Sequence, residues 1–383
     1  MKKLMGLLGV VFLLFESVAW AEPDVTVSGY ILTHFEQYLN DEGTYSIVDA
    51  GGGDYQAQGK DGFNAFQITR IYLTFNGKLT ENISASVTTD VRADSDGYRS
   101  LYAKYAFVEF RDLVPGQKIR FGLQDPPWGG YIDGNYSRYR MIDQSFYSYW
   151  GTFSTADFGV SMLGDFFNKK LLYHIAVLNG EGLKGAEKDQ FKEYVGRLSL
   201  DLGSKDKFRI YPSIGYSTHR YNDSSDFKDD VVMAGVGMDY WKIHLAGEYI
   251  QGTKTLKTGE YPLVGGVWPS GAVDAIKVIN AGSLLTADKD INYGGFGIYL
   301  DVKLTDKLNA FARYDLYDPN LDSDFDKDAQ SMWYAGVCYH PWNNVWLSLD
   351  YRQSDFQELD IDGDGIKELK PVQVLYTHWK IAY

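Results

Sequence analysis

The sequence predicts an all-β fold: a transmembrane, antiparallel, up-and-down β-barrel of sixteen strands with short periplasmic turns and long external loops. Three observations predict it. Apolar and polar residues alternate with a period of two along most of the chain, which places them on opposite faces of strands. Short and long linkers alternate between those stretches. Beyond the N-terminus, no apolar run approaches the ~18–20 residues that a membrane-crossing helix needs. Composition agrees, since of 383 residues 40 are Gly, only 10 are Pro and 16% are aromatic. That is too little Pro for a collagenous chain and too much apolar surface for a disordered one.

The first element is an export signal. Met1-Lys2-Lys3 is positively charged, Leu4 to Phe15 is an apolar core, and Ala19-Trp20-Ala21 is a small-x-small cleavage site before Glu22-Pro23. Residues 1–21 are expected to be removed, leaving 22–383 as the barrel. Losing Lys2, Lys3 and Glu16 takes the net charge from −14 to −15, which argues against nucleic acid as a partner. Cys338 is alone, so an exported chain of this size has no internal disulfide to hold it. A closed network of strands would serve instead.

Strands are expected at 25–39, 63–79, 83–91, 101–111, 118–124, 156–166, 171–179, 191–202, 208–221, 229–240, 243–252, 292–304, 308–318, 331–340, 345–355 and 371–383. In one of them Leu308, Ala310, Ala312, Tyr314 and Leu316 alternate with Asn309, Phe311, Arg313, Asp315 and Tyr317. The longer segments between strands are 40–62, 92–100, 125–155, 180–190, 222–228, 253–291, 319–330 and 356–370, and short turns alternate with them. An even strand number returns both termini to the periplasmic side, and closure satisfies every backbone N–H and C=O in lipid. Leu375, Thr377, Trp379, Ile381 and Tyr383 share a face that ends in an aromatic residue. Tyr30, Tyr72, Tyr216, Tyr240, Trp241, Trp333 and Trp342 fall near expected strand ends, where aromatic girdles meet the membrane interfaces.

Several segments are similar to a known family. They are Arg70 to Leu79, Lys118 to Leu123, Leu172 to Gly182, Tyr194 to Leu198 and Arg313 to Pro319. Taken in order along the chain, they resemble Gram-negative outer-membrane porins of the phosphate-selective O/P type. The resemblance implies a sixteen-stranded diffusion channel in the outer membrane, assembled as a homotrimer.

Candidate functional residues follow from this frame. The segment after the fifth strand, 124–155, is placed as a constriction loop, with Asp133, Tyr136, Arg138, Arg140 and Asp143 as its polar and aromatic edge. Arg138 and Arg140, two apart, would point the same way if extended, and with Asp133 and Asp143 opposite they would set a transverse field. Strand parity assigns Arg70, Asp90, Arg120, Arg197, Arg209, Glu248, Arg313, Asp315 and Arg352 to the pore lining. An Arg facing lipid near the midplane would cost about 2–4 kcal/mol. Parity also turns Lys118, Asp301, Lys303 and Asp350 inward, and over this larger set basic and acidic residues are near enough to balance that the sign of selectivity stays open.

In the last long loop, Asp360, Asp362 and Asp364 with Gly365 resemble a calcium loop, with Glu368 as a further ligand. Pro371 stands where an EF-hand needs its bidentate Glu, so the alternatives are a looser calcium site and a solvated acidic turn. A divalent cation there could bridge to lipopolysaccharide in the surrounding outer-membrane lipid. No other cofactor is implied. The histidines show no metal-ligand spacing, and no nucleophile elbow is present. The expected function is passive diffusion of small hydrophilic solutes or ions, without enzymatic activity. The competing classes are a lipase-like barrel enzyme and a plugged structural or adhesive barrel.

Overall fold

The strands of the computed structural model are β1 Asp24–Tyr38, β2 Asn64–Lys78, β3 Ile83–Ala93, β4 Arg99–Arg111, β5 Gln117–Gln124, β6 Asp157–Phe166, β7 Leu171–Leu178, β8 Glu193–Leu200 continued by Leu202–Ser204, β9 Phe208–Tyr221, β10 Ser224–Tyr240, β11 Ile243–Leu256, β12 Lys289–Lys303, β13 Leu308–Asp318, β14 Gln330–Trp342, β15 Val345–Phe356 and β16 Val372–Ala382. The structure describes residues 24–39, 46–49, 55–58, 62–93, 99–183, 185–204, 207–221, 224–260, 264–265, 285–322, 329–356 and 371–383. The expected signal at 1–21 and the acidic residues Asp360, Asp362, Asp364 and Glu368 lie outside the described residues. Each strand pairs antiparallel with the next, and β1 pairs with both β2 and β16, so the sixteen strands close into one barrel. At the seam, Gly29 and Tyr383 exchange two backbone hydrogen bonds of 3.0 Å. A small hairpin, Ser46–Asp49 with Tyr55–Gln58, lies between β1 and β2.

Burial follows the period of two, with the apolar face outward. On β9, Phe208, Ile214 and Tyr216 are exposed, whereas Arg209, Tyr211, Ser213 and Ser217 are buried. The outer face is thus an apolar belt and the inside is polar, as a bilayer demands of a barrel. Tyr216, Tyr240, Trp241, Trp333 and Trp342 lie exposed on or beside that belt. Tyr30 and Tyr72 do not. They pair across β1 and β2 with rings 4.9 Å apart, beside the inward-facing Arg70, and so belong to the interior rather than to a girdle.

One expected loop is a correction. Residues 222–228 were assigned to a long external segment, yet β9 runs to Tyr221 and β10 starts at Ser224. Polar cross-strand pairs extend the ladder there: Asp230 accepts from Thr218 at 2.5 Å and from Arg220 at 2.8 Å, and Lys228 pairs with Asp290 at 2.8 Å. These pairs carry no apolar alternation and therefore no strand signal.

The ladder shifts register at four places, two of them on the wall formed by β1 to β4. Leu32 pairs with Arg70 but Thr33 with Ile68, leaving Thr69 extra on β2. Thr88 pairs with Tyr105 but Thr89 with Ala103, leaving Lys104 extra on β4. A bulge re-aims the side chains around it, and both lie on the same stretch of wall.

The outward belt yields a first prediction. Ile214 sits mid-strand on the outer face, so Ile214→Arg should lower unfolding stability in lipid vesicles by about 2–4 kcal/mol. Denaturant titration of the two proteins, refolded into the same vesicles, measures it.

Candidate functional site: an internal loop seated on wall glycines

The chain between β5 and β6 turns into the barrel. It contains a short helix α1, Gly129–Ile132, a π-turn at Asp133–Ser137, and a second short helix α2, Phe146–Tyr149. Trp128, Ile132, Tyr136, Phe146, Tyr147 and Trp150 are each at most 2% exposed. Three of these rest on glycines of the wall. A Cβ at Gly215 would come within 2.9 Å of the Trp128 ring, one at Gly235 would overlap the Tyr136 ring, and one at Gly297 would lie 2.9 Å from Phe146. The missing side chains let the loop lie flat against β9, β10 and β12.

Polar contacts fix it there. Glu248 of β11 accepts from Trp128 Nε1 at 3.2 Å, from the Phe146 backbone N–H at 3.1 Å, and from the Tyr299 hydroxyl at 2.5 Å. Tyr136 donates to the Tyr211 carbonyl and the Ser213 hydroxyl, both at 3.0 Å. Trp150 donates to Asp315 at 2.9 Å. Arg313 binds Asp315 at 2.6 Å and also the Gln144 carbonyl. Arg197 donates to the Pro127 carbonyl at 2.7 Å and lies 3.9 Å over the Tyr131 ring. Tyr139 donates to Asp301, and burial raises its hydroxyl well above the ordinary value, so it keeps its proton.

These contacts revise the expected pore lining. Arg197, Glu248, Arg313 and Asp315 face inward as parity predicts, but the loop covers them and they anchor it. Arg352 does the same, pairing with Asp143 at 2.7 Å and reaching the Ile142 carbonyl at 3.4 Å. Arg209 is buried between Asp201 at 2.6 Å and Asp239 at 3.4 Å.

The loop edge is revised too. Arg138 and Arg140 do not point the same way, because Arg138 has a left-handed backbone (φ 53°) after the π-turn. Arg138 reaches Asp239 on the wall at 2.5 Å, whereas Arg140 turns to Asp133 at 3.6 Å. Asp143 belongs to Arg352. A field with Arg138 and Arg140 on one side and Asp133 and Asp143 on the other is therefore not what the loop presents.

The opposite wall, β1 to β4, carries ion pairs of its own. Arg70 pairs with Asp90 at 3.3 Å and Tyr102 donates to Asp90 at 2.9 Å. Arg120 on β5 binds Glu109 at 2.9 Å and Asp125, at the loop's root, at 3.2 Å. Arg70, Arg140 and Asp133 keep between 16% and 27% of their side chains exposed although they point into the barrel. Sequence reasoning missed Lys104, Tyr211, Asp239 and His244, and it missed the glycine seats. Glycines at inward parity facing an aromatic-rich loop were the available signal for the seats.

A closed barrel of sixteen antiparallel strands, with an inward loop after the fifth, is the architecture of outer-membrane porins. The solved structures it resembles include the outer membrane channel DcaP of Acinetobacter baumannii (TM-score 0.61, 12% identity, 96% of this chain and 99% of that one). They also include an anion-selective porin from Comamonas acidovorans (TM-score 0.57, 11% identity, 94% and 100%). A third is the trimer form of OmpT of Vibrio cholerae (TM-score 0.55, 12% identity, 95% and 100%). At these identities the likeness is one of fold. No protein-family model and no curated protein sequence matches the chain.

Filling a seat should lift the loop. Gly235→Val is expected to cost about 1–3 kcal/mol by overpacking against Tyr136 and to change single-channel conductance. Gly247→Val provides the control, since no loop residue lies against that glycine. Parallel denaturation and bilayer recordings check both.

Proposed function

We propose that this chain is an outer-membrane porin, a passive channel for small hydrophilic solutes or ions, working as a homotrimer after export and removal of residues 1–21. One observation carries the reading: the body of the loop, residues 127–150, is bonded to one part of the wall. The hydrogen bonds and ion pairs described for residues 127–150 reach β8 to β13 and β15, and none reaches β1 to β4. A loop body held to one part of the wall, and joined to β4 where it ends at Thr155, leaves room for a passage beside it. That passage is bordered by partly exposed charged and tyrosine side chains, a surface that passes hydrated solutes and excludes by width and charge. The trimer finds support in the trimeric form of a protein of the same fold.

A second reading has its own observation. The loop's aromatic residues are as buried as a protein core, which also suits a plug. Planar-bilayer recording separates the two. Ohmic steps in groups of three are expected from the trimeric channel, and excising 129–149 should enlarge each step. A silent bilayer after confirmed insertion would mean that the interior is sealed.

A further inference from the structure

We propose that a polar cavity inside the barrel, at the rim where β8, β10 and β12 begin, binds a small zwitterion, a solute with one ammonium and one carboxylate as in a free amino acid. As a statement about what permeates, this rests on the porin reading and names a class of solute for it.

Two cavities adjoin at that rim. The inner one, of about 270 Å³, lies between the end of the inward loop at Gly151 to Ser154 and the inward faces of β8 to β12. The outer one, of about 440 Å³, lies beside the chain that leaves β7. Gly180, His219 and Lys254 line both. A water takes about 30 Å³ of liquid, so either cavity has room for a solute the size of an amino acid.

The charges are ordered from one cavity to the next. Glu193 and Asp229 face the inner cavity with Lys254, two carboxylates against one ammonium. Lys188, Lys254 and Lys257 face the outer cavity with Glu181 and Asp189, three ammonium groups against two carboxylates. The inner surplus is Glu193. Asp229 is held by Lys254 and by the Tyr293 hydroxyl, each at 2.9 Å, whereas the described partner of the Glu193 carboxyl is the Ser217 hydroxyl at 2.6 Å. Among the described residues no cation lies within ion-pair distance of Glu193.

These groups are within a solute's reach. Glu193 is only partly buried, and the side chains of Lys254 and Asp229 keep 34% and 20% of their surface although they point into the barrel. An ammonium has three N–H donors, and Lys254 spends one on Asp229 while lying 5.5 Å from the Tyr221 ring. It can therefore take a second carboxylate. His219 stands beside it with an Nε2 that has no hydrogen-bond partner among the described residues, in space left by Gly180, where a Cβ would overlap the ring. A zwitterion with its ammonium at Glu193 and its carboxylate at Lys254 makes charge-assisted bonds at both ends. A plain cation or a plain anion makes them at one end and meets like charge at the other.

The test titrates alanine into the protein in detergent micelles and follows the heat, at a mildly alkaline pH that favours a glutamate carboxylate and leaves the alanine ammonium protonated. Lactate, with a hydroxyl in place of the ammonium, and ethylammonium, without the carboxylate, are the comparisons. Alanine should bind at least about fivefold more tightly than either, the Boltzmann factor for one unit charge about 4 Å away in a water-like medium. Glu193→Gln keeps an acceptor for Ser217 but removes the charge, and should bring alanine down to the affinity of lactate. Equal affinities for the three probes, or unchanged alanine binding by Glu193→Gln, would overturn the inference and leave the porin reading intact. Alanine-specific binding by a protein whose bilayers stay silent would overturn the porin reading, and the permeant role with it, while the binding site stands. Comparing the three probes on the wild type needs no variant, so the test stays decisive if Glu193→Gln does not fold.

Discussion

The interior depends on one carboxylate. Glu248 receives the indole of Trp128 before α1, the backbone N–H that opens α2, and the hydroxyl of Tyr299 from the neighbouring strand. Two ends of the loop and two strands therefore meet at a single side chain that is 2% exposed. Each donor left unmet in such a place costs about 1–3 kcal/mol. The rest of the loop's geometry can vary only within what those three bonds permit. The glycine seats complement it, since they set how near the wall the aromatic rings come, whereas Glu248 sets where along the wall they stop.

This arrangement divides the barrel into two halves with different physics. Along β8 to β15, Arg197, Glu248, Arg313 and Arg352 are engaged with the loop and act as structure. Along β1 to β4 the inward charges pair among themselves, as Arg70 does with Asp90, and two of the four register shifts lie there.

Much of the barrel was legible in the sequence because a lipid-facing belt enforces alternation residue by residue. The bounds 208–221 and 308–318 match β9 and β13 for that reason. The site was legible only in part. Parity found that Glu248, Arg313 and Arg352 point inward, but it could not tell a wetted wall from one covered by the loop, because that depends on contacts from residues about a hundred or more positions away. Arg138 was misdirected by one left-handed residue. Lys104 was invisible for a sharper reason: Tyr105, Phe107 and Glu109 set the inward parity of β4, and carrying that parity back past the bulge puts Lys104 in lipid.

The seam between β1 and β16 has a further consequence. Its ladder joins Tyr30 to Ala382 and Tyr38 to Val374, partners separated by nearly the whole sequence. Until that ladder forms, the first strand has an unpaired edge, and such edges recruit foreign strands. Contacts so distant in sequence also form slowly, because closing the intervening loop is entropically unfavourable. The unclosed polypeptide therefore spends its most aggregation-prone interval waiting for its own far end, and any factor that shields β1 would govern how much of it closes intact.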